Sequence, residues 1–321
     1  MFTSVLSTIQ NQLNFYGYTI ALVFGSIGSI FILILFNQQR HNACSIYLVN
    51  SAMINLLYLA TIFFLNTFYV SYDDQSTGAL IFCKFSSYIR GFLGQTAKTI
   101  LIFVCIDRYM ITSRRVALRA LSTTKRAKYL VFFNYIFWAI IVSHHAIFML
   151  VIKGKCVPQS SYSTFLAFYS LLFNGVGPSG VLVLFASLTC RNLSQMRRRV
   201  QPFDHNFGNR NQIFQRRDRD LLVLVIAEVV VYIITTALLP VTFLEMMISG
   251  YILPVKSLDY NRAEMFTLNI AFLLMYFFSA APFYIYIVAS ASFRRDFRQL
   301  MVKAYRKLRK QARDQSAFQT N

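Results

Sequence analysis

Long apolar runs separated by short polar stretches set the pattern of this chain. Seven are long enough to cross a membrane: Phe15 to Phe36, Ser45 to Ser71, Leu80 to Thr112, Ala127 to Ile152, Phe165 to Cys190, Leu221 to Ile248 and Met265 to Ala289. About 20 apolar residues span bilayer hydrocarbon as a helix, which satisfies its own backbone where no water can. The pattern predicts an all-α, polytopic membrane protein built as a seven-transmembrane helix bundle. Residues 1–14 are predicted to be a short extracellular N-terminus, 15–289 the bundle, and 290–321 an amphipathic helix with a basic cytoplasmic tail.

That last helix is legible from spacing. Phe293, Phe297, Leu300, Met301, Ala304 and Leu308 recur at helical intervals, with Arg294, Arg295, Arg298, Lys303 and Arg306 between them. Such a helix lies in the inner interface rather than spanning. The third apolar run departs from the others because it carries Arg90, Lys98, Asp107 and Arg108. A charge at membrane depth is costly unless it faces a protein interior or a wet cavity, so this helix is predicted to be central. Arg90, Gly94 and Lys98 recur every four residues and share one face. In the second run, Asn50, Asn55 and Asn66 read first as interhelical hydrogen-bonding groups.

Composition sharpens the class. With 56% hydrophobic and 14% charged residues and a mean hydropathy of +0.49, the chain does not fit a soluble multidomain enzyme. A net charge of +20 raises nucleic acid as a partner, but 25 of the 32 Lys and Arg fall in four blocks: Arg40, Arg108 to Lys128, Arg191 to Arg219, and Arg294 to Arg313. Segregation of this kind orients a membrane protein, with the basic segments cytoplasmic. No Lys or Arg precedes Arg40, so the N-terminus is predicted outside and the C-terminus in the cytoplasm of a multi-pass cell-membrane protein. The clusters Arg197-Arg198-Arg199 and Arg216-Arg217 suit anionic inner-leaflet lipid or an acidic cytosolic partner. No metal-ligand cluster or nucleophile–base pair is visible, which argues against an enzyme, a metal or a cofactor; His144-His145 reads as packing.

Cys83 opens the third run on the predicted outer side and Cys156 sits in the outer loop Lys153 to Ser163, where an oxidising compartment allows a disulfide tying that loop to the third helix. Cys44, Cys105 and Cys190 read as reduced or buried thiols.

Cys83 stands 25 residues before Arg108 of Asp107-Arg108-Tyr109, Trp138 lies in the fourth run, Pro178 in the fifth and Pro240 in the sixth. Together with the seven runs and the amphipathic helix, these residues make the chain resemble the rhodopsin-like (class A) G-protein-coupled receptors over most of its length, nearest in general character to neuropeptide receptors. The resemblance implies a switch made of Asp107, Arg108 and Tyr109 with Asp220 and Tyr286, in which an Arg108 to Asp220 contact closes the cytoplasmic face at rest. It implies kinks at Pro178, Pro240 and Pro282, and partners in the form of an extracellular ligand, membrane lipids and a heterotrimeric G protein, with no nucleic acid. Activation in the family is a population shift in which the sixth helix swings outward.

Several positions depart from the family pattern. Ser29, Asn55, Ala186 and Leu238 stand where an asparagine, an aspartate, a tyrosine and a tryptophan are usual, and the seventh run reads Ala281-Pro282-Phe283-Tyr284-Ile285-Tyr286. The register that keeps Tyr286 as the family tyrosine is preferred because it preserves the spacing to Phe293. Arg90 occupies the place of the amine-binding aspartate, which argues against a biogenic amine. Arg90, Gly94, Lys98 and Glu245 form the candidate ligand pocket; a carboxylate-bearing ligand or Glu245 satisfies Arg90 if its face is inward, and snorkelling to the outer interface is the alternative. Glu228, Asn55 and Asn174 are the candidate partners of Lys98. A receptor for an extracellular ligand, with a peptide as the favoured class, is the leading reading; a small membrane transporter or channel is the alternative.

Overall fold

The computed structural model describes residues 2–37, 42–68, 77–152, 155–197, 223–252 and 256–319. Among them, seven segments are long and apolar enough to cross a membrane: Thr8–Asn37, Ala43–Leu65, Gly78–Thr112, Thr124–Phe148, Tyr162–Gln195, Val223–Ile252 and Leu258–Ala280. They are called the first to seventh spans below. Their outer surfaces carry large apolar side chains such as Phe15, Phe24, Phe64, Phe132, Phe133 and Phe168, all exposed. In water such a surface marks an association site, whereas in lipid it is the solvent-facing side.

The third span touches the second, fourth and fifth spans, as its buried charges required. Polar side chains bridge the neighbours. Trp138 Nε1 donates to Thr99 Oγ1 at 2.8 Å, Asn134 Nδ2 to the Thr96 carbonyl at 3.3 Å, and Tyr135 Oη to Asn50 Oδ1 at 3.3 Å. In the second span, Asn50 thus does the interhelical work expected of it, while the side chain of Asn66 lies outside the described residues. Tyr276 Oη of the seventh span donates to the Leu59 carbonyl of the second at 2.6 Å.

Local sequence explains where helices start and break. Thr123 caps the fourth span by accepting from the Arg126 amide, and Ser257 caps the seventh by accepting from the Tyr260 amide. The sixth span is interrupted at Ala237, just before Pro240, and the seventh at Ala281, just before Pro282. Proline removes a backbone donor and crowds the preceding turn, which localises both interruptions. Pro178 has a different consequence, taken up below.

Three boundaries differ from the sequence expectation. Residues 2–14 continue the first helix outward, which runs Phe2–Asn37, instead of forming a separate polar segment. The fourth span ends at Phe148, and Met149–Ile152 forms strand β1, paired antiparallel with β2, Lys155–Pro158, with Val151 opposite Cys156. The apolar character of Leu150, Val151 and Ile152 made them look like membrane; the β-branching of Val151 and Ile152 also suits a strand once the chain has turned back. The seventh span continues past Ala281 as a short helix, Pro282–Ala289, before Ser290 caps the amphipathic helix Ala291–Gln319 by accepting from the Phe293 amide.

Candidate functional site

The end of the bundle that the charge pattern assigns to the outside is fastened by a disulfide between Cys83 and Cys156, whose Cα atoms lie 5.5 Å apart. It ties the β1–β2 hairpin to the start of the third span, where Met149 and Tyr162 pack around Cys83. One to two turns deeper, Arg90 is half-buried and donates to the Ser86 carbonyl at 3.1 Å and to Ser86 Oγ at 3.2 Å. A β-carbon built at Gly94, one turn further, would stand 3.8 Å from the Tyr58 ring of the second span. The face shared by Arg90, Gly94 and Lys98 therefore looks inward.

Glu245 does not meet Arg90. Its Oε1 accepts from Tyr260 Oη at 2.5 Å, across the outer ends of the sixth and seventh spans. The two residues border a cavity of about 440 Å³ whose other walls are Ser249 and the apolar side chains of Val241, Leu244, Ile248 and Ile252. Beside it, the buried Glu264 accepts from Lys256 at 2.5 Å and from Ser249 at 2.6 Å. The geometry leaves Glu245 at the rim of an apolar hollow with a hydroxyl as its partner, whereas Glu264 is neutralised by a cation.

The middle of the bundle is organised by Lys98, which is 6% exposed and donates to Asn174 Oδ1 of the fifth span. The same oxygen accepts from Gln95 Nε2 at 3.0 Å, and Gln95 also donates to Tyr169 Oη at 3.3 Å. Asn174 Nδ2 donates to Ser170 Oγ at 3.1 Å. Asn174 is therefore Lys98's partner; of the other two candidates, Glu228 is engaged elsewhere. Among the described residues, no carboxylate lies within ion-pair distance of Lys98.

Asn174 reaches this position because Leu171–Val176 is a π-helical turn. Such a turn inserts an extra residue and re-aims the side chains that follow. Pro178 offers no N–H to the Asn174 carbonyl four residues earlier, and that carbonyl accepts instead from Tyr232 Oη of the sixth span at 3.2 Å. Glycine permits the approach: a β-carbon at Gly175 would lie 2.8 Å from Pro240 Cγ, and one at Gly177 only 2.3 Å from the Leu172 carbonyl oxygen. Pro178 and Pro240 thus act together, one freeing a carbonyl and the other packing against the turn that results.

At the inner end, Arg108 and Asp107 are 2% and 1% exposed and pair at 2.8 Å. Ser122, on the connection leading to the fourth span, donates to the second carboxylate oxygen of Asp107 at 2.5 Å. A buried ion pair offsets its desolvation only when further hydrogen bonds satisfy its remaining atoms, and Ser122 supplies one of them. Tyr109 packs edge-on to Phe185 of the fifth span, with ring centres 5.5 Å apart. Asp220, the expected second partner of Arg108, lies outside the described residues. Tyr286, buried on the short helix after Pro282, donates to Glu228 Oε2 of the sixth span at 2.8 Å and packs edge-on to Phe293 at 5.6 Å.

The predicted switch residues thus stand apart from the predicted pocket residues, and the pocket residues themselves fall at different levels. Arg90 and Gly94 lie below the hairpin, Lys98 at the π-turn, and Asp107, Arg108, Tyr109 and Tyr286 at the end of the bundle opposite the disulfide. Ser122, Gln95, Tyr169 and Tyr232 escaped the sequence reading. A serine 14 residues after Arg108 carries no signal by itself, and the π-turn is invisible to helical periodicity. The glycines that follow Asn174, Gly175 and Gly177, and the proline four residues after it were the available clue. His144 and His145 both contact Tyr162 Oη, at 2.6 and 3.3 Å, inside an aromatic cluster.

Comparison with known proteins agrees with this architecture. Residues 28–286 match the family model of the 7 transmembrane receptor (rhodopsin family). The C-C chemokine receptor type 1 of Macaca fascicularis is 29% identical over 188 residues, covering 54% of this chain and 50% of the relative. The chain thus spans about half the length of the curated relative it matches. With the family model covering all seven spans in whole or part, and with the disulfide and the buried Asp107–Arg108 pair in place, the chain belongs to the rhodopsin family of seven-transmembrane receptors.

Proposed function

We propose that this receptor sits in the cell membrane with its N-terminus outside and binds an extracellular ligand of peptide character. It activates a heterotrimeric G protein through the cytoplasmic ends of the third, fifth and sixth spans. The buried Asp107–Arg108 pair carries the reading: an ion pair held out of water, with Ser122 on the second carboxylate oxygen of Asp107, is costly to keep and suits a contact that is exchanged for another. Differential affinity of a ligand for the two arrangements then shifts their populations.

The ligand reading rests on the outer level. The cavity between the sixth and seventh spans pairs apolar walls with the Glu245 carboxylate, and Arg90 lies across the bundle on the third span. Apolar side chains together with both signs of charge suit a peptide better than a simple amine. The relative is by name a chemokine receptor, which favours a ligand arriving from outside the cell. Residues 1–14 are proposed as extracellular and 290–321 as cytoplasmic, in keeping with the charge segregation.

The test is a screen of peptides and small molecules on cells co-expressing the receptor with a promiscuous G-protein reporter. A dose-dependent peptide response weakened by Glu245→Gln is expected. Stimulation by small amines alone would contradict the ligand class.

A further inference from the structure

Glu228 is 2% exposed on the sixth span, and its carboxyl receives the Tyr286 hydroxyl at 2.8 Å. A buried carboxyl is retained at a cost unless it has hydrogen-bond partners, so a single well-placed donor matters to it. The ring of Tyr286 is clamped on its other sides: Phe293 of the amphipathic helix lies 5.6 Å away and Phe36 of the first span 6.4 Å away, both edge-on. The tyrosine is therefore held by the first span, the seventh span and the amphipathic helix, and Glu228 is the group through which the sixth span joins them.

Tyr232 lies one turn further along the same face of the sixth span and donates to the Asn174 carbonyl of the fifth. The span is thus tied at two heights to two different neighbours. The upper tie lies beside the irregularity at Ala237 and Pro240. The lower tie, at Glu228, is 12 residues from Pro240, or about 18 Å of helix. An outward movement of the cytoplasmic end about the proline must break the lower tie first, because displacement grows with distance from the pivot.

We propose that Glu228 is a positioning residue that pins Tyr286 and thereby holds the cytoplasmic ends of the sixth and seventh spans together at rest. It is a device of this chain's own residues. Ala186 removes a hydroxyl from the fifth span and Leu238 an indole from the sixth, and the tie between Glu228 and Tyr286 supplies a closed-state contact beside the Asp107–Arg108 pair. The functional consequence rests on the G-protein coupling proposed above; the tie itself does not.

The experiment measures the distance distribution between spin labels at Val223→Cys and Val288→Cys, both exposed positions, in the purified full chain with Cys190→Ser and the buried Cys44 and Cys105 retained. Tyr286→Phe and Glu228→Ala are each expected to add a longer-distance population about tenfold above the parent, corresponding to about 1.4 kcal/mol for one buried hydrogen bond. Glu228→Gln, which keeps an acceptor oxygen, should restore the parent distribution. Tyr286→Phe removes one atom and opens no sizeable cavity, so it keeps the test alive if Glu228→Ala does not fold. A parent-like distribution in Tyr286→Phe, or Glu228→Gln behaving as Glu228→Ala, overturns the proposal. Basal nucleotide exchange measured on the same samples separates the two readings: a lengthened distance without raised exchange leaves the tie standing and counts against coupling.

Discussion

Arg108 and Lys98 stand ten residues apart on the third span, both buried, and the molecule handles the two cations differently. Arg108 is paired with its sequence neighbour Asp107, whose other oxygen is satisfied by Ser122. Lys98 has a neutral amide, brought from 76 residues away by a π-turn. Arg108 is compensated in charge, whereas Lys98 is only solvated by dipoles. Compensation allows a contact to be exchanged for a similar one, which suits a switch; dipolar solvation by a fixed turn suits a joint between helices. The contrast also explains what the sequence disclosed, since a pair formed by adjacent residues is written in the chain and a pair formed across a bulged helix is not.

The largest expected effect falls on the fastening that keeps both levels in register. Cys83→Ser with Cys156→Ser opens a loop of sequence separation 73 and should lower stability by about 4 kcal/mol, seen as a reduced Tm in detergent. Unchanged Tm would mean that the hairpin holds itself in place.

Asn174→Leu should cost about 3 kcal/mol, because it leaves the Lys98 ammonium buried without its acceptor. Lys98→Met should cost less, and the double variant should recover most of the loss of Asn174→Leu. Additive losses in that thermal-unfolding cycle would break the idea that the amide is there for the cation.

Gly175→Ala pushes a methyl group toward the Pro240 ring and should destabilise by about 2 kcal/mol. The measurement is again Tm, with Gly180→Ala as a control in open space. Ser122→Ala is the mildest change, removing one hydrogen bond to a charged acceptor, worth about 1.5 kcal/mol. It should raise basal nucleotide exchange modestly and lower Tm less than Gly175→Ala does, sharpening the distinction between switch and joint.

Much of this architecture was legible in advance for identifiable reasons. The spans follow from hydropathy, the central position of the third from the price of charge in lipid, and the disulfide from two cysteines on one side. The ends of the elements were less legible. Met149–Ile152 is as apolar as a span but forms a strand, because cross-strand pairing with Lys155–Pro158 satisfies its backbone. Glu228 was read as a possible partner of Lys98 and proves to be that of Tyr286: sequence shows that a buried carboxyl needs a donor without showing which one. Glu245 and Arg90, paired on charge alone, are separated by the geometry that places Tyr260 at the mouth.

As proposed, the Asp107–Arg108 pair belongs to a coupling switch. Its most direct test is nucleotide exchange by purified heterotrimeric G proteins of the different classes, with the full chain and its Arg108→Ala variant reconstituted at equal density in lipid vesicles. The parent should raise exchange of at least one class above empty vesicles, and Arg108→Ala should return it to the empty-vesicle rate. Superimposable rates for parent and variant across every class would contradict the account.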